Sequence, residues 1–343
     1  LTLQRRLATL GIRHRWRRPK WIISEIQVPL ITSSLVPLTY SPPSTPMDWR
    51  YPNLPAGVRI IDSGKKGPAV GIQACTHGDE KAGLAALQFL EETFADNPQR
   101  LLHGSLILIV GNIEAMKQGK RGISADMNRS FRTDADFLAN ADVNSNEFMR
   151  SRELMPVLEQ CDYHLDIHST STPSETFSIT LEPDAKHRHL CEHMPTSFAS
   201  EGWQLVIVGA VMHYVEMHGG TGLTVECGAH TNPEGAAVAV QATQQFLQML
   251  GCFDWQLPLS RVSRRLVVIH GEHIADPRTF AYHQSFYNFQ PVASRQWLAT
   301  DSLRKYEVPD REDLVIVFPA SQESIQSGIM GDAYFLGYFE SIF

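Results

Sequence analysis

Cysteine is scarce in this 343-residue sequence, and its five cysteines follow no recognisable pattern. They are Cys75, Cys161, Cys191, Cys227 and Cys252, and no two of them form a Cys-x-x-Cys pair. An odd and scattered set argues against a disulfide framework and against a structural zinc finger. A reducing cytoplasm is therefore the expected compartment.

Long apolar runs are also absent. No stretch approaches the roughly 18 apolar residues that a membrane-spanning helix requires, and the N-terminus lacks the apolar core of a signal peptide. Apolar residues still make up 43% of the chain, which is enough to fill a sizeable core. We expect a globular protein with no membrane partner.

Positive charge is rare outside the start of the chain. Residues 1–46 hold seven Lys or Arg and one acid, Glu25, so they carry +6 of a total of −7 and leave −13 for the rest. An acidic body is a poor surface for nucleic acid, so we predict no nucleic-acid partner. The stretch "RHRWRRPK" is suited to phosphates or lipid headgroups, but a disordered basic extension over residues 1–46 is the favoured interpretation.

No methionine precedes Met47, which follows the loop-like "SPPSTP". One hypothesis is that translation starts at Met47. An organelle transit peptide is the alternative for an arginine-rich, acid-poor segment. A mass of the intact native protein that includes residues 1–46 would exclude the start at Met47.

From about residue 55, short apolar runs alternate with longer amphipathic ones. Strands are predicted at "AVGIQAC" (69–75), "SLILIVGN" (105–112) and "CDYHLDIHST" (161–170), with further short apolar runs at "QLVIVGA" and "GLTVECG". This alternation predicts an α/β fold with a mostly parallel or mixed sheet and helices on both faces.

The intervening segments predict helices. "EKAGLAALQFLEETF" has apolar residues at helical spacing, and "NEFMRSRELMPVLEQ" should be bent or interrupted at Pro156. In "TNPEGAAVAVQATQQFLQMLG", Asn232 is the expected cap, Pro233 lies in the first turn, and Gly251 is the expected stop.

The pattern changes after about residue 254. "RRLVVIH", "DLVIVFP" and "AYFLGYF" are short strand-like runs separated by polar turns. We therefore predict a main α/β domain over residues 47–253 and a small β-rich C-terminal domain over residues 254–343.

His77 and Glu80 lie three residues apart, where a predicted strand passes into a helix. Ligand sites of open parallel sheets lie beyond the carboxyl ends of the strands, and His168 and Glu226 fall near such ends. An imidazole and a carboxylate are a normal zinc pair, and a third ligand from His168 would leave one position open, as in catalytic sites. The spacing alone is a weak signal, because surface pairs and hydrogen-bonded core histidines are common.

Four motifs carry a resemblance to a known family: "THGDE", "GNIEAMKQGKRGISADMNRSF", "LDIHST" and "TVECGAH". In this order they resemble the succinylglutamate desuccinylase and aspartoacylase family of zinc amidohydrolases, which are relatives of the metallocarboxypeptidases. The resemblance covers roughly residues 55–250. It extends to the C-terminal part only in its β-rich character, and not to the first 46 residues.

The resemblance implies a carboxypeptidase-like fold and one zinc ion per chain, held by His77, Glu80 and His168. It implies that Glu226 is the general acid and base. A glutamate that follows an apolar strand would be partly desolvated, which raises its pKa toward neutrality.

The resemblance also assigns roles in substrate binding. Arg121 would polarise the substrate carbonyl, and Asn128 and Arg129 would hold the α-carboxylate, for which a guanidinium is well shaped. Asp126 and Asp166 would orient a ligand histidine or an arginine, or else only cap or pair locally. A cysteine nucleophile at Cys227 is an alternative supported only by its proximity to His230.

The implied activity is zinc-dependent hydrolysis of the linear amide bond of an N-acyl amino acid or a related small amide. A carboxypeptidase-like peptidase acting on short or cell-wall peptides remains an alternative, as does a non-catalytic binding module. The oligomeric state, including a homo-oligomer, and the physiological metal are left open.

The sequence departs from the family where a second substrate carboxylate would be recognised. No Lys or Arg occurs between Arg188 and Arg261, and "VMHYVEMHGGTG" offers His213, Tyr214, Glu216 and His218 instead. The family's substrate-contacting tyrosine has no clear counterpart in "VIVFPASQESIQSG". We therefore predict an amide substrate other than an acyl-aspartate or succinylglutamate.

Overall fold

The computed structural model describes residue 47 and residues 49–181, 184–205, 207–326 and 331–342. The predictions for residues 1–46 lie outside the described residues. No helix in these described ranges has the length and apolar character needed to cross a membrane.

A ten-stranded mixed sheet forms the centre of the molecule, with the order β1-β3-β2-β4-β7-β5-β6-β8-β13-β12, and β9, β10 and β11 form a separate antiparallel sheet. The strands are β1 (Val58–Asp62), β2 (Ala69–Ala74), β3 (Ser105–Val110), β4 (Tyr163–Thr170), β5 (Phe177–Ile179), β6 (Phe198–Glu201), β7 (Thr221–Ala229), β8 (Arg264–His273), β9 (Ala281–Tyr282), β10 (Trp297–Thr300), β11 (Lys305–Glu307), β12 (Val315–Val317) and β13 (Asp332–Ser341).

The middle of the large sheet is parallel. Strands β3, β2, β4 and β7 pair in parallel register, and their side chains are almost all buried. Continuous apolar strands are typical of a sheet covered on both faces. The carboxyl ends of these strands therefore meet at one edge, as the sequence predicts.

Helices cover both faces of this sheet. They are α1 (Gly83–Phe94), α2 (Ile113–Gln118), α3 (Ala135–Asn140), α4 (Asn146–Leu158), α5 (Ala185–Glu192), α6 (Val211–Met217), α7 (Gly235–Met249) and α8 (Gln322–Gln326). Along β3, Leu106 and Leu108 share a core cluster with residues of α1 and α7, whereas Ile107 and Ile109 share another with residues of α4 and α6. The predicted α/β fold, with a small antiparallel β-rich region at its C-terminal end, is confirmed.

Local details differ from the sequence predictions. Helix α4 continues through Pro156 as far as Leu158. Helix α7 begins at Gly235 rather than beside Asn232, whose side chain instead accepts a hydrogen bond from the Glu234 N–H (3.1 Å). Pro233 therefore lies before the helix, not in its first turn. Gly251, with φ +66°, follows the end of α7 as predicted.

The segment "QLVIVGA" (204–210) forms no strand over its described residues. Trp203–Leu205 is a 3-10 turn, and Gly209 adopts φ +85°. A Cβ at Gly209 would lie 2.5 Å from the Arg129 carbonyl oxygen, so this apolar run is used to pack a loop closely against the Arg129 segment.

The C-terminal strands continue the large sheet. Strand β8 pairs in parallel with β6 and antiparallel with β13, which in turn pairs with β12. A single core cluster joins Phe177, Phe198 and Trp203 to Leu266 and Phe335. The division into domains at residue 253 stays a prediction.

Candidate active site

His77 reaches the carboxyl edge of the sheet through a tight turn after β2. Cys75 has φ +56°, an uncommon conformation for a residue with a side chain. A Cβ at Gly78 would lie 2.1 Å from the Met116 backbone nitrogen, so only glycine lets this turn pack against α2. The turn places His77 and Glu80 in the interior, where they are 3% and 2% exposed.

The Glu80 carboxylate is the centre of the site. Its Oε1 lies 2.8 Å from Nδ1 of His77, and its Oε2 lies 2.7 Å from Nδ1 of His168. The Ser169 N–H also donates to Oε2, at 3.1 Å. The structure thus brings together the three residues that the resemblance assigns to the metal.

A second carboxylate holds each histidine from the opposite side of its ring. Nε2 of His77 lies 3.0 Å from Asp126, and Nε2 of His168 lies 2.8 Å from Asp166. Thr76 donates a hydrogen bond to Asp166 at 2.7 Å. Carboxylates placed in this way fix the orientation of both rings and leave the two Nδ1 atoms facing a common point.

The donor set of His77, Glu80 and His168 fits a divalent metal. One ligand atom from each of the three residues lies within 4.8 Å of the others, and all three are buried. Two imidazole nitrogens and one carboxylate oxygen are the ligands of several catalytic zinc sites. Asp79, Glu80 and His230 also approach one another within 4.8 Å, but this set shares Glu80 and is more exposed.

The charges of this cluster are strongly coupled. Burial lowers the pKa of His168, but the carboxylates of Asp166 and Glu80 outweigh it and hold the pKa well above its ordinary value. Burial raises the pKa of Glu80, but His77 and His168 outweigh it and hold the pKa well below its ordinary value. The carboxylates and the histidines of the cluster thus stabilise one another's charged forms.

Glu226 lies beside His168, because the two residues are register partners on β4 and β7. It is 6% exposed, and its Oε2 has no hydrogen-bond partner among the described residues. Burial, reinforced by the neighbouring charge of Glu80, raises the pKa of Glu226 to about 7. A buried carboxylate with a free oxygen and a near-neutral pKa is suited to proton transfer.

Arg121 closes the cluster from a loop after α2. Its guanidinium donates to Asp126 at 3.0 Å and to Glu80 at 3.4 Å, and the Gly78 N–H donates to its carbonyl at 3.1 Å. Burial lowers the pKa of Arg121, but the two carboxylates outweigh it and raise the pKa, so the side chain stays cationic.

Asn128 and Arg129 lie in a 3-10 turn that borders the same cavity. Oδ1 of Asn128 accepts a hydrogen bond from the Val211 N–H at 2.9 Å. Arg129 donates to Asp332 at 2.7 and 3.2 Å, and Asp332 also lies 2.6 Å from Nδ1 of His273. Sequence reasoning missed Asp332, which lies 203 residues from Arg129 and in no motif.

The cavity at this edge has a volume of about 110 Å³ and contains every residue assigned to the site. Sequence reasoning also missed part of its lining: Asp79, His230, the Ser169–Thr172 segment, and apolar residues from β5, the segment before α6, β13 and the loop after β12. The quoted motifs contain Asp79, Ser169, Thr170 and His230 without giving them a role, whereas the apolar residues are far apart in the sequence and no local signal marks them.

Several other residues noted in the sequence lie away from the cavity. The Tyr214 hydroxyl donates to Glu159 at 2.6 Å, and Nδ1 of His218 lies 2.8 Å from the Tyr214 carbonyl. Burial raises the pKa of Cys227, which does not line the cavity. The raised pKa of Cys227 and its position away from the cavity give no support to a cysteine nucleophile.

Comparisons with a family model and with curated relatives agree on one family. A family model described as the succinylglutamate desuccinylase/aspartoacylase catalytic domain matches residues 66–250. A probable aspartoacylase of Nostoc sp. is 34% identical over 132 residues, covering 36% of this chain and 43% of that protein. The succinylglutamate desuccinylase of Serratia proteamaculans is 28% identical over 175 residues, covering 47% of this chain and 51% of that protein.

Solved structures extend the likeness beyond the matched segment. The crystal structure of succinylglutamate desuccinylase from Vibrio cholerae has a TM-score of 0.65 at 17% identity, covering 83% of this chain and 85% of that one. At this identity the likeness shows the fold alone. This chain spans about half or less of the length of the curated relatives it matches. Because the family model covers more than half of the chain, the protein belongs to the succinylglutamate desuccinylase/aspartoacylase family.

Proposed function

We propose that this protein is a zinc-dependent hydrolase that cleaves the amide bond of an N-acyl amino acid or a related small amide. The observation that carries the proposal is the position of Glu226, a buried carboxylate with an unpaired oxygen, beside the cluster of His77, Glu80 and His168. A non-catalytic binding module has no need to keep such a desolvated carboxylate, whose burial costs free energy.

The three clustered residues would hold the metal. A zinc ion bound there supplies Lewis acidity, which favours attack of water on the amide carbonyl. Asp126 and Asp166 keep the two imidazole rings in the orientation that binding requires. Because a metal binds only the deprotonated imidazoles, its binding should compete with their protonation and weaken as the pH falls.

Glu226 would carry the proton through the reaction. Its carboxylate accepts a proton as water adds to the carbonyl carbon, and it then donates that proton to the leaving nitrogen as the C–N bond breaks. The products are a carboxylic acid and a free amino acid or amine. A pKa near neutrality suits both steps, since the group must gain and lose the proton at the same pH.

Arg121 would stabilise the negative charge that develops on the carbonyl oxygen. Its charge is already fixed by Asp126, so the guanidinium needs no reorganisation during the reaction. Asn128 and Arg129 would bind the carboxylate of the substrate. Arg129 uses three of its five N–H groups on Asp332 and the Asn128 carbonyl, which leaves one on each terminal nitrogen for this purpose.

The test is hydrolysis of a panel of N-acyl amino acids by the zinc-loaded protein and by its Glu226→Gln variant. We expect the variant to lose at least about 100-fold in kcat while keeping its zinc, since proton transfer contributes that much or more. Glu234→Gln, an exposed change shortly after β7, is the matched control and should keep full activity. A fully active Glu226→Gln variant would contradict the proposal.

A further inference from the structure

The cations that line the cavity are already neutralised. Arg121 and Arg129 are the Arg or Lys residues of its described lining. Arg121 faces Asp126 and Glu80, and Arg129 faces Asp332. Asp332 belongs to β13, so the C-terminal part of the chain supplies the charge that compensates Arg129. One substrate carboxylate can still use the remaining N–H groups of Arg129, but the described lining offers no uncompensated Arg or Lys to a second carboxylate.

One part of the cavity wall is apolar, whereas Ser169–Thr172, Asp79 and His230 line another part. Its apolar residues come from well-separated parts of the chain: Ile179, Ile207, Ala210, Met212, Phe318 and Phe335. Most of them are almost fully buried, with exposures of 3% for Ile179 and Met212 and 4% for Phe335. These residues belong to one core cluster or pack against it, so folding brings together an apolar wall whose residues no single motif contains.

This apolar wall adjoins the residues proposed to bind the α-carboxylate. The Val211 N–H is held by Asn128, and Met212 is the next residue. Phe335 lies three residues after Asp332, the partner of Arg129, on the same strand. Because Met212 and Phe335 line the same cavity as Asn128 and Arg129, they lie within reach of the amino-acid side chain of a substrate whose α-carboxylate binds there.

We propose that the amino-acid side chain of the substrate is apolar and uncharged, as in an N-acyl derivative of leucine, methionine or phenylalanine. The inference rests on the proposed function and specifies its substrate. Burying an unpaired carboxylate against such a wall is strongly unfavourable, whereas burying an aliphatic or aromatic group is favourable. Acyl-aspartates and acyl-glutamates are thereby excluded.

The first measurement compares N-acetylleucine with N-acetylaspartate, whose side chains have the same number of heavy atoms and the same branching. We expect kcat/KM of the zinc-loaded protein to be at least about 100-fold higher for N-acetylleucine, because only the aspartate side chain leaves a buried charge unpaired. Equal rates, or a preference for N-acetylaspartate, would overturn the inference.

A substitution in the apolar wall tests whether the substrate side chain contacts this wall. Met212→Lys adds a cation with little change in length, and Met212→Gln is the uncharged control. The lysine variant should shift the ratio of kcat/KM toward N-acetylaspartate by at least about tenfold relative to the glutamine variant, since a buried charge gains a partner. An unchanged ratio would mean that the substrate side chain does not contact this wall.

Binding separates this inference from the proposed function. If no N-acyl amino acid is hydrolysed, the proposed function fails, and the thermal stability of the zinc-loaded protein is then measured with each compound. A rise in Tm with N-acetylleucine, but not with N-acetylaspartate, would support the apolar site. A rise with N-acetylaspartate, or with neither compound, would overturn it.

Discussion

At the residue scale, the candidate site depends on side chains held by partners that the motifs do not reveal. His77, Glu80 and His168 could be assigned to one site from the family motifs, together with their places near the carboxyl ends of β2 and β4. Asp332 could not be predicted, because its link to Arg129 spans 203 residues and depends on the folded sheet. Long-range pairs of this kind have no local sequence signal.

The pKa of Glu226 leads to a pH prediction. As the proposed general base, this residue would act in its deprotonated form, so kcat/KM should fall about tenfold per pH unit below the pKa. The pKa is about 7 without a metal, and a bound cation favours the charged form, so the inflection should lie at or below about 7. The pH dependence of kcat/KM, measured for the zinc-loaded protein with its best substrate, locates this inflection.

The residual activity of Glu226→Gln is the control for this profile. A glutamine does not titrate, so the acidic limb assigned to Glu226 should disappear from the variant. If the same limb persists, another group controls the reaction and Glu226 is not the base.

At the scale of elements, the loop that carries Arg121 and Asp126 is held by helix α4. Glu147, in the first turn of α4, accepts hydrogen bonds from the N–H groups of Ile123 (2.7 Å), Ser124 (3.1 Å) and Ala125 (3.1 Å). Burial raises the pKa of Glu147, but these hydrogen bonds outweigh it and lower the pKa. A buried carboxylate thus replaces secondary structure as the partner of the loop backbone.

Glu147→Gln should therefore destabilise the protein and impair the site. A glutamine amide cannot accept all of these hydrogen bonds, and each hydrogen bond lost from this partly exposed loop costs about 0.5–1.5 kcal/mol. We expect the free energy of unfolding to fall by roughly that amount, and kcat to fall as Arg121 loses its fixed position. Urea denaturation and steady-state kinetics provide the two measurements.

Glu114→Gln is the matched control for this change. Glu114 is an exposed glutamate in the first turn of α2, paired with Lys117 at the surface, where such pairs contribute little. Its substitution should leave both stability and kcat nearly unchanged. Equal effects of the two variants would show that Glu147 does not organise the loop.

Among the elements, one loop and two helices differ from the sequence predictions. The run "QLVIVGA" has the composition of a strand, yet its glycine and its packing against Arg129 make it a loop. Helix α7 starts at Gly235 because Asn232 bonds the Glu234 N–H before the helix begins. Pro156 is tolerated within α4. A tertiary contact therefore decides the conformation of the first segment, whereas a local hydrogen bond decides where α7 begins.

At the scale of the whole molecule, one sheet joins the two parts that the sequence suggested. The change near residue 254, from alternating strand and helix patterns to short strand-like runs, is visible in the sequence, and the β-rich region is confirmed. The parallel pairing of β8 with β6 was not predictable, since nothing local specifies which strand becomes the neighbour of another. The site depends on this pairing, because β13 brings Asp332 and Phe335 to the cavity.

A chain that ends at residue 253 should therefore not fold cooperatively. This truncation removes β8, β12 and β13. It would therefore expose Phe177, Phe198 and Trp203, which pack against those strands in a common core cluster. We expect the truncated protein to lack a sharp thermal transition by circular dichroism. A cooperative transition close to that of the full chain would instead support an independent domain over residues 47–253.

The central claim is that three residues of this chain hold one zinc ion at the carboxyl edge of the sheet. The most direct test is the zinc content of the purified protein, measured by mass spectrometry after equilibration with zinc and removal of the excess. His168→Ala removes a proposed ligand, and His230→Ala is the control, since it removes a nearby histidine outside the set. We predict about one zinc per chain in the native protein and in His230→Ala, and a large loss in His168→Ala. Zinc retained by His168→Ala but lost from His230→Ala would contradict the proposed site.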